Sequence, residues 1–207
     1  MPVFTKNGVK VLFVHIPKAA GSSIESAFMK EGFHMHFHDH GPKKKNSINS
    51  FCLCSPQHMH AAQLQSIFKL NEFDAIFTVV RHPVSRFLSE FAMRNPHFYG
   101  AEDRDVAIFF EKAISFYSQD PFYLDNHIRK QTEFLLPNMK IFKLENGLSH
   151  IKDYFNANFD ICLDIQHKLA SKSLKIGASS DIKLTENTRK SIIDFYQDDM
   201  IELGYEK

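Results

Sequence analysis

Apolar residues along this chain recur in two patterns. Three short runs, Val9 to Ile16, Phe73 to Val80 and Met139 to Leu144, are rich in β-branched and aromatic residues, which marks buried strands. Elsewhere the apolar positions return every three to four residues. That spacing predicts helices over Ser22 to Lys30, Ala61 to Lys69, Val84 to Arg94, Val106 to Phe116, Ile128 to Leu136 and Glu186 to Leu203. Strands separated by helices predict an α/β fold, a central parallel sheet flanked by helices on both faces. The helix-spaced stripes Ala107, Ile108, Phe110, Ala113, Ile114, Tyr117 and Ile192, Ile193, Tyr196, Met200 read as core.

Between these elements, Asp39 to Pro56 carries Gly-Pro, three consecutive lysines and several Ser and Asn, so it reads as a surface loop. Lys168 to Lys183 is a second polar stretch, and no repeat of solenoid period is present. With 207 residues the chain has the length of a single domain, 1–207, able to bury a core without disulfides or a structural metal. Lys plus Arg (25) nearly balances Asp plus Glu (24), which gives no reason to expect nucleic acid or a membrane surface as partner. An anion site must therefore be local. Cys52, Cys54 and Cys162 cannot all pair, and the first two are too close for an ordinary bridge, so reduced thiols and a cytoplasmic setting are expected. The apolar run near the N-terminus is too short for a signal or a membrane span.

The chemistry begins where the first strand meets a helix. His15-Ile16-Pro17-Lys18-Ala19-Ala20-Gly21-Ser22-Ser23 lies in a strand–loop–helix context, where free backbone N–H groups and the helix dipole converge on one spot suited to a phosphate. Gly21 permits close backbone approach, Lys18 adds a mobile charge, and Ser22 and Ser23 add hydroxyls. In a Walker A loop the lysine directly follows the last glycine. Here Lys18 precedes Gly21 by three residues, which disfavours ordinary ATP or GTP hydrolysis. Composition alone also fits a plain strand-to-helix turn with a surface lysine.

The second strand ends in Val80-Arg81-His82-Pro83-Val84-Ser85-Arg86, with Pro83 suited to the first turn of a helix that carries Ser89 two turns along. Arg81 offers a forked donor set and Ser89 a hydroxyl, outside the carboxyl end of a strand where ligands of open α/β sheets bind. A capped helix with solvated arginines has the same sequence.

Together these segments resemble the donor-binding motifs of sulfotransferases that use 3′-phosphoadenosine 5′-phosphosulfate (PAPS), in particular the carbohydrate group that includes the heparan uronyl 2-O-sulfotransferases. The resemblance continues through His127 to Leu135, Lys143-Leu144-Glu145-Asn146, Tyr196-x-x-Asp199 and Gly204-Tyr205. It implies a sulfotransferase fold in which Lys18, Ala20, Gly21, Ser22 and Ser23 bind the 5′-phosphosulfate, and Arg81 and Ser89 the 3′-phosphate. Gln57-His58-Met59-His60 is similar to the element that supplies the general base, with His58 favoured over His60; an unperturbed imidazole titrates near neutral pH, as that task requires.

The resemblance further implies transfer to a hydroxyl acceptor, a glycan in relatives, with adenosine 3′,5′-bisphosphate leaving and no metal required. Golgi relatives carry a membrane anchor, so a chain without one is expected to be bacterial and cytoplasmic. Lys168, Ser171, Lys172, Ser173 and Lys175 fall where relatives close a loop over the nucleotide.

His34-Met35-His36-Phe37-His38-Asp39-His40 places histidine at every second residue, so on one continuous strand all four rings would share a face. A zinc site there competes with a titratable rim and with a plain surface strand. Two other functions stay open: a small-molecule kinase, which would need a metal-binding carboxylate after a later strand although Asp74 precedes one, and a non-catalytic nucleotide- or glycan-binding module.

Overall fold

The three apolar runs form β2 (Val9–Val14), β4 (Ala75–Val80) and β5 (Lys140–Lys143), hydrogen-bonded side by side and parallel. The computed structural model describes residues 2–39, 47–95, 102–165, 179 and 182–206. Contacts divide the chain into two compact units, Met1–Val80 with Glu133–Lys168, and Arg81–Thr132 with Leu169–Lys207.

In the first unit the sheet order is β3-β1-β2-β4-β5. The three parallel strands are extended by two antiparallel ones, β1 (Val3–Lys6) and β3 (His34–His36), which the periodicity did not delimit. β1 and β2 form a hairpin in which Lys6 pairs with Val9 across Asn7-Gly8, both at positive φ (50° and 85°). Asn-Gly is the pair that such a two-residue turn favours, so the signal stood in the sequence.

Registers put Phe4, Val11, Phe13, Ala75, Phe77, Val79 and Phe142 on one face. Two helices cover that face. From α1 (Gly21–Lys30) come Ile24 and Phe28, and from α5 (Ser149–Phe159) come Ile151 and Phe155. Phe28 stacks on Phe4 at 4.4 Å and meets Phe155 at 5.1 Å, so aromatic contact fixes α1 against the sheet. α1 ends in a Schellman turn: Gly32 sits at φ 87°, the Phe33 N–H donates to Phe28 O at 3.0 Å, and the two rings touch at 5.1 Å. α5 was not predicted, although Ile151, Tyr154 and Phe155 have helical spacing; its asparagines and short length hide it. α2 (Ala61–Ile67) completes the helices described in this unit.

β3 is only three residues long. Phe37 turns into the left-handed region at φ 54°, so the four histidines do not share a strand face. His34 and His36 are exposed on β3, His38 is redirected towards Glu25, and His40 lies outside the described residues. The basic loop expected over Lys168 to Lys175 also lies outside them.

The second unit contains α3 (Pro83–Arg94), α4 (Asp103–Gln119), α6 (Glu186–Phe195) and α7 (Gln197–Glu202), with a core built from Val84, Phe87, Phe91, Val106, Ala113 and Ile192. Of the predicted stripe on α4, Ile108 is exposed and Val106 takes the buried position instead.

Two expectations fail here. Ile128 to Leu136 is not a helix; only Gln131–Phe134 forms a 3-10 turn. The closing helix is broken at Tyr196, which adopts φ −96°, ψ 27°. Backbone groups of 127–132 bond to side chains rather than to each other. The His127 and Arg129 carbonyls accept from the Arg86 guanidinium (3.2 and 2.6 Å), and the Ile128 carbonyl accepts from the Tyr196 hydroxyl (2.9 Å). The Gln131 and Thr132 N–H groups donate to Asp199 (2.9 and 3.0 Å). Such capture from distant residues satisfies the backbone without a helix. Arg86 also lies over the Tyr196 ring at 5.2 Å, and burial holds that phenol well above its usual range.

Glu90 on α3 is a second buried charge, 1% exposed, paired with His127 Nδ1 at 2.5 Å and Arg94 Nε at 2.7 Å. Burial alone would raise its carboxyl, but the His127 hydrogen bond and charge, followed by those of Arg94, outweigh it and lower the value to about 2. A depressed carboxyl contributes stability that is fully present above the ordinary glutamate value and lost as pH falls towards the native one. The difference corresponds to roughly 3 kcal/mol. Glu90→Gln is therefore expected to lower the thermal midpoint at neutral pH and to flatten its fall below about pH 4.5. Unchanged acid sensitivity in thermal scans from pH 7 to pH 3 would contradict this.

Candidate active site

The end of β2 delivers the chain into the loop singled out in the sequence. Val14 pairs with Thr78 of β4, whose hydroxyl donates to Val14 O at 2.6 Å, so the carboxyl ends of both strands lie at one edge of the sheet. After β2 come Pro17 and two non-glycine residues in the left-handed region, Lys18 (φ 67°) and Ala20 (φ 68°). Each costs about 1–2 kcal/mol relative to ordinary backbone. Ala20 stands at the N-cap of α1 and supplies no side-chain cap. Among the described residues, the N–H groups of Ala20, Gly21 and Ser22 meet no acceptor. Three unsatisfied donors at the positive end of a helix form an anion cradle.

The predicted members of this loop separate into distinct roles. Lys18 is half-buried and Ser22 exposed. Ser23 is 6% exposed and its N–H donates to Ala20 O at 3.0 Å, so that N–H serves the helix rather than a ligand. Gly21 is required by a neighbouring side chain. A Cβ there would lie 1.9 Å from His15 Nε2, because the His15 ring covers the start of α1.

His15 is itself anchored. Its Nδ1 lies 2.7 Å from Glu25 Oε1 on α1, and its ring stacks on Phe13 at 5.5 Å. Glu25 is buried and lies 3.6 Å from His38 Nε2 through its other oxygen. Burial would raise the Glu25 carboxyl, but hydrogen bonds from His15 and His38, followed by their charges, outweigh it and hold the group well below the usual carboxylate range. Sequence reasoning missed Glu25, although its position one helical turn beyond Gly21 was a usable signal.

His58 closes the 3-10 turn Pro56–His58; its ring meets that of His15 edge-on at 5.1 Å, and its Nδ1 lies 3.0 Å from Ser55 Oγ. His60 has a different task. It is the N-cap of α2, where Gln63 Oε1 lies 2.7 Å from its Nδ1 and accepts from its backbone N–H at 3.2 Å, so the Gln63 side chain reaches back to the cap residue.

In the second unit, Arg81 is the first residue beyond β4 and Ser89 lies half-buried on α3. The Arg81 backbone is held at both ends by one buried amide. Its N–H donates to Gln131 Oε1 at 2.9 Å, and Gln131 Nε2 donates to Arg81 O at 2.8 Å. Gln131 is in turn fixed by Asp199, which is fully buried and also accepts from the Thr132 hydroxyl at 3.2 Å. Gln131 and Asp199, both fully buried, thus fix the Arg81 backbone. Just upstream, Leu124, Asp125 and Asn126 are successively left-handed (φ 53°, 60°, 64°), and Asn126 Oδ1 accepts from Arg129 Nε at 3.0 Å.

A mostly parallel sheet with free N–H groups at the helix start beyond one strand is an arrangement that suits an anionic ligand. The chain matches the Sulfotransferase family over residues 1–206, and it belongs to that family. Its chemistry is accordingly sulfuryl transfer. No curated protein and no solved structure matched the chain. Among the described residues no helix is long and apolar enough to cross a membrane.

The crowding at Gly21 gives a direct test. Gly21→Ala should destabilise the protein by about 1–3 kcal/mol through overpacking against His15. In a His15→Ala background the same change should cost almost nothing, because the obstructing ring is gone. Equal losses in both backgrounds, measured by denaturant unfolding, would refute the packing.

Proposed function

We propose that the protein transfers the sulfuryl group of PAPS to a carbohydrate hydroxyl, with Lys18 and His58 as the catalytic pair. The observation that carries this reading is the cradle of free N–H groups at Ala20, Gly21 and Ser22 beside Lys18, in a chain of the Sulfotransferase family. Those N–H groups and the Ser22 hydroxyl hold the 5′-phosphate end of the donor. Arg81, positioned by Gln131, and Ser89 hold the 3′-phosphate, the group that distinguishes PAPS from ATP.

The acceptor oxygen attacks sulfur in line as the bond between sulfur and the bridging oxygen breaks. His58 takes the hydroxyl proton, and Lys18 neutralises the charge that builds on the bridging oxygen of departing adenosine 3′,5′-bisphosphate. His58 is favoured over His60 because His60 is committed to capping α2. Asp74 lies before β4, where its carboxylate accepts from the Lys10 N–H at 2.8 Å, a poor position for a kinase's metal-binding group. Cys52, Cys54 and Cys162 form no disulfide, in keeping with a reducing compartment.

Calorimetry should show binding of adenosine 3′,5′-bisphosphate and little binding of ATP with magnesium; the reverse preference would sink the reading. In a sulfuryl-transfer assay, Lys18→Ala is expected to lower kcat by about 10²- to 10³-fold and His58→Ala by about 10²- to 10⁴-fold. His60→Ala should reduce thermal stability far more than kcat. Full activity in the His58 variant would move the base elsewhere.

A further inference from the structure

Glu25 has no place in the scheme above, is 6% exposed, and yet joins the two segments that the scheme uses. Its Oε1 meets His15 Nδ1 at 2.7 Å. An ionised carboxylate can only accept, so His15 Nδ1 must carry a hydrogen, and the ring is thereby turned with Nε2 over Gly21 at the floor of the anion cradle.

On its other side Glu25 Oε2 lies 3.6 Å from His38, which reaches it only because Phe37 bends the chain at φ 54°. The next residue, Asp39, is clamped by a glutamine amide. Its N–H donates to Gln57 Oε1 at 3.1 Å, and Gln57 Nε2 donates to Asp39 O at 3.0 Å. Gln57 directly precedes His58, whose ring stands perpendicular (87°) to that of His15. The contacts therefore close on themselves: His15, Glu25, His38, Asp39, Gln57, His58 and back to His15.

We propose that Glu25 is a positioning residue of sulfuryl transfer, the hub through which one buried carboxylate fixes both the donor loop at His15 and the base at His58. This rests on the roles given above to the His15–Ser23 loop and to His58. A group so buried does not touch donor or acceptor; it acts by holding two imidazoles at set orientations. A carboxylate suits the position because it presents one acceptor oxygen to each ring, whereas an amide of the same shape must turn its NH₂ towards one of them.

Glu25→Gln tests the hub with almost no change in volume. It should lower kcat by about 10- to 100-fold, the cost of slight misplacement of reacting groups, while the acceptor KM changes less than about twofold and thermal scans show a cooperative fold. In a His58→Ala background the same substitution should lower kcat less than about threefold, because groups that act as a unit are not additive. Equal losses in both backgrounds, or kcat retained in the single variant, would overturn the proposal.

Long-range ¹H–¹⁵N spectra of the wild-type histidine rings give a measurement independent of donor, acceptor and variant folding. His15 should carry a proton on Nδ1; an unprotonated Nδ1 overturns the proposal even where transfer is observed. Should the wild-type chain fail to bind adenosine 3′,5′-bisphosphate while His15 shows the protonated Nδ1, the reading of the function falls and the Glu25–His15 pair stands.

Discussion

A carboxylate removed from water must be met by donors, and in each compact unit of this protein the donors that meet it belong to functional or adjoining segments. Glu25 draws His15 and His38 together in the first unit. Asp199 collects the N–H groups of Gln131 and Thr132 in the second, and Glu90 collects His127 and Arg94. A hydrophobic side chain of similar size would fill any of these places, but it would leave backbone or imidazole donors unpaired. Buried pairs of this kind give modest net stability, and removing one partner costs several kcal/mol. Their effect is to select one arrangement of the loops around them.

Glutamine amides extend that selection to the backbone. Gln131 bonds both the N–H and the carbonyl of Arg81, and Gln57 does the same to Asp39. An amide carries one acceptor and two donors in a plane, so it can stand in for a neighbouring strand at a single residue. It is placed where irregular chain would otherwise expose unpaired groups, directly beyond β4 and shortly after β3. The backbone at Arg81 is therefore restrained as a strand residue would be.

The parallel strands and most helices were legible because their signal is local. Apolar runs gave β2, β4 and β5, and three-to-four spacing gave α1 to α4. The strand–loop–helix form around Lys18, Gly21 and Ser22 was legible too, from the apolar run before it and the helical spacing after it. What failed was decided from far away in sequence. The segment 127–132 has helical spacing, yet Arg86, Tyr196 and Asp199 take its backbone groups, and no pattern within the segment records that. The histidine run likewise alternates as a strand should, but Phe37 breaks it so that His38 can reach Glu25. The sequence pointed to His58 as the base ahead of His60 without showing what His60 does. The structure adds that His60 caps α2 through Gln63, three residues on.

The composition of the anion loop follows from the same constraint. Lys18 and Ala20 occupy backbone conformations that glycine would adopt without strain. Glycine would also leave the loop free to take many other shapes when no anion is bound, and ordering it would then weaken binding. Instead, non-glycine residues narrow the alternatives, and the one glycine, Gly21, stands where the His15 ring requires the space. The His15–Glu25 bond ties the start of the loop to the helix that ends it. A loop held this way from behind needs little reordering when an anion arrives, and in the reaction proposed above that would leave binding energy for the charge that develops at the bridging oxygen.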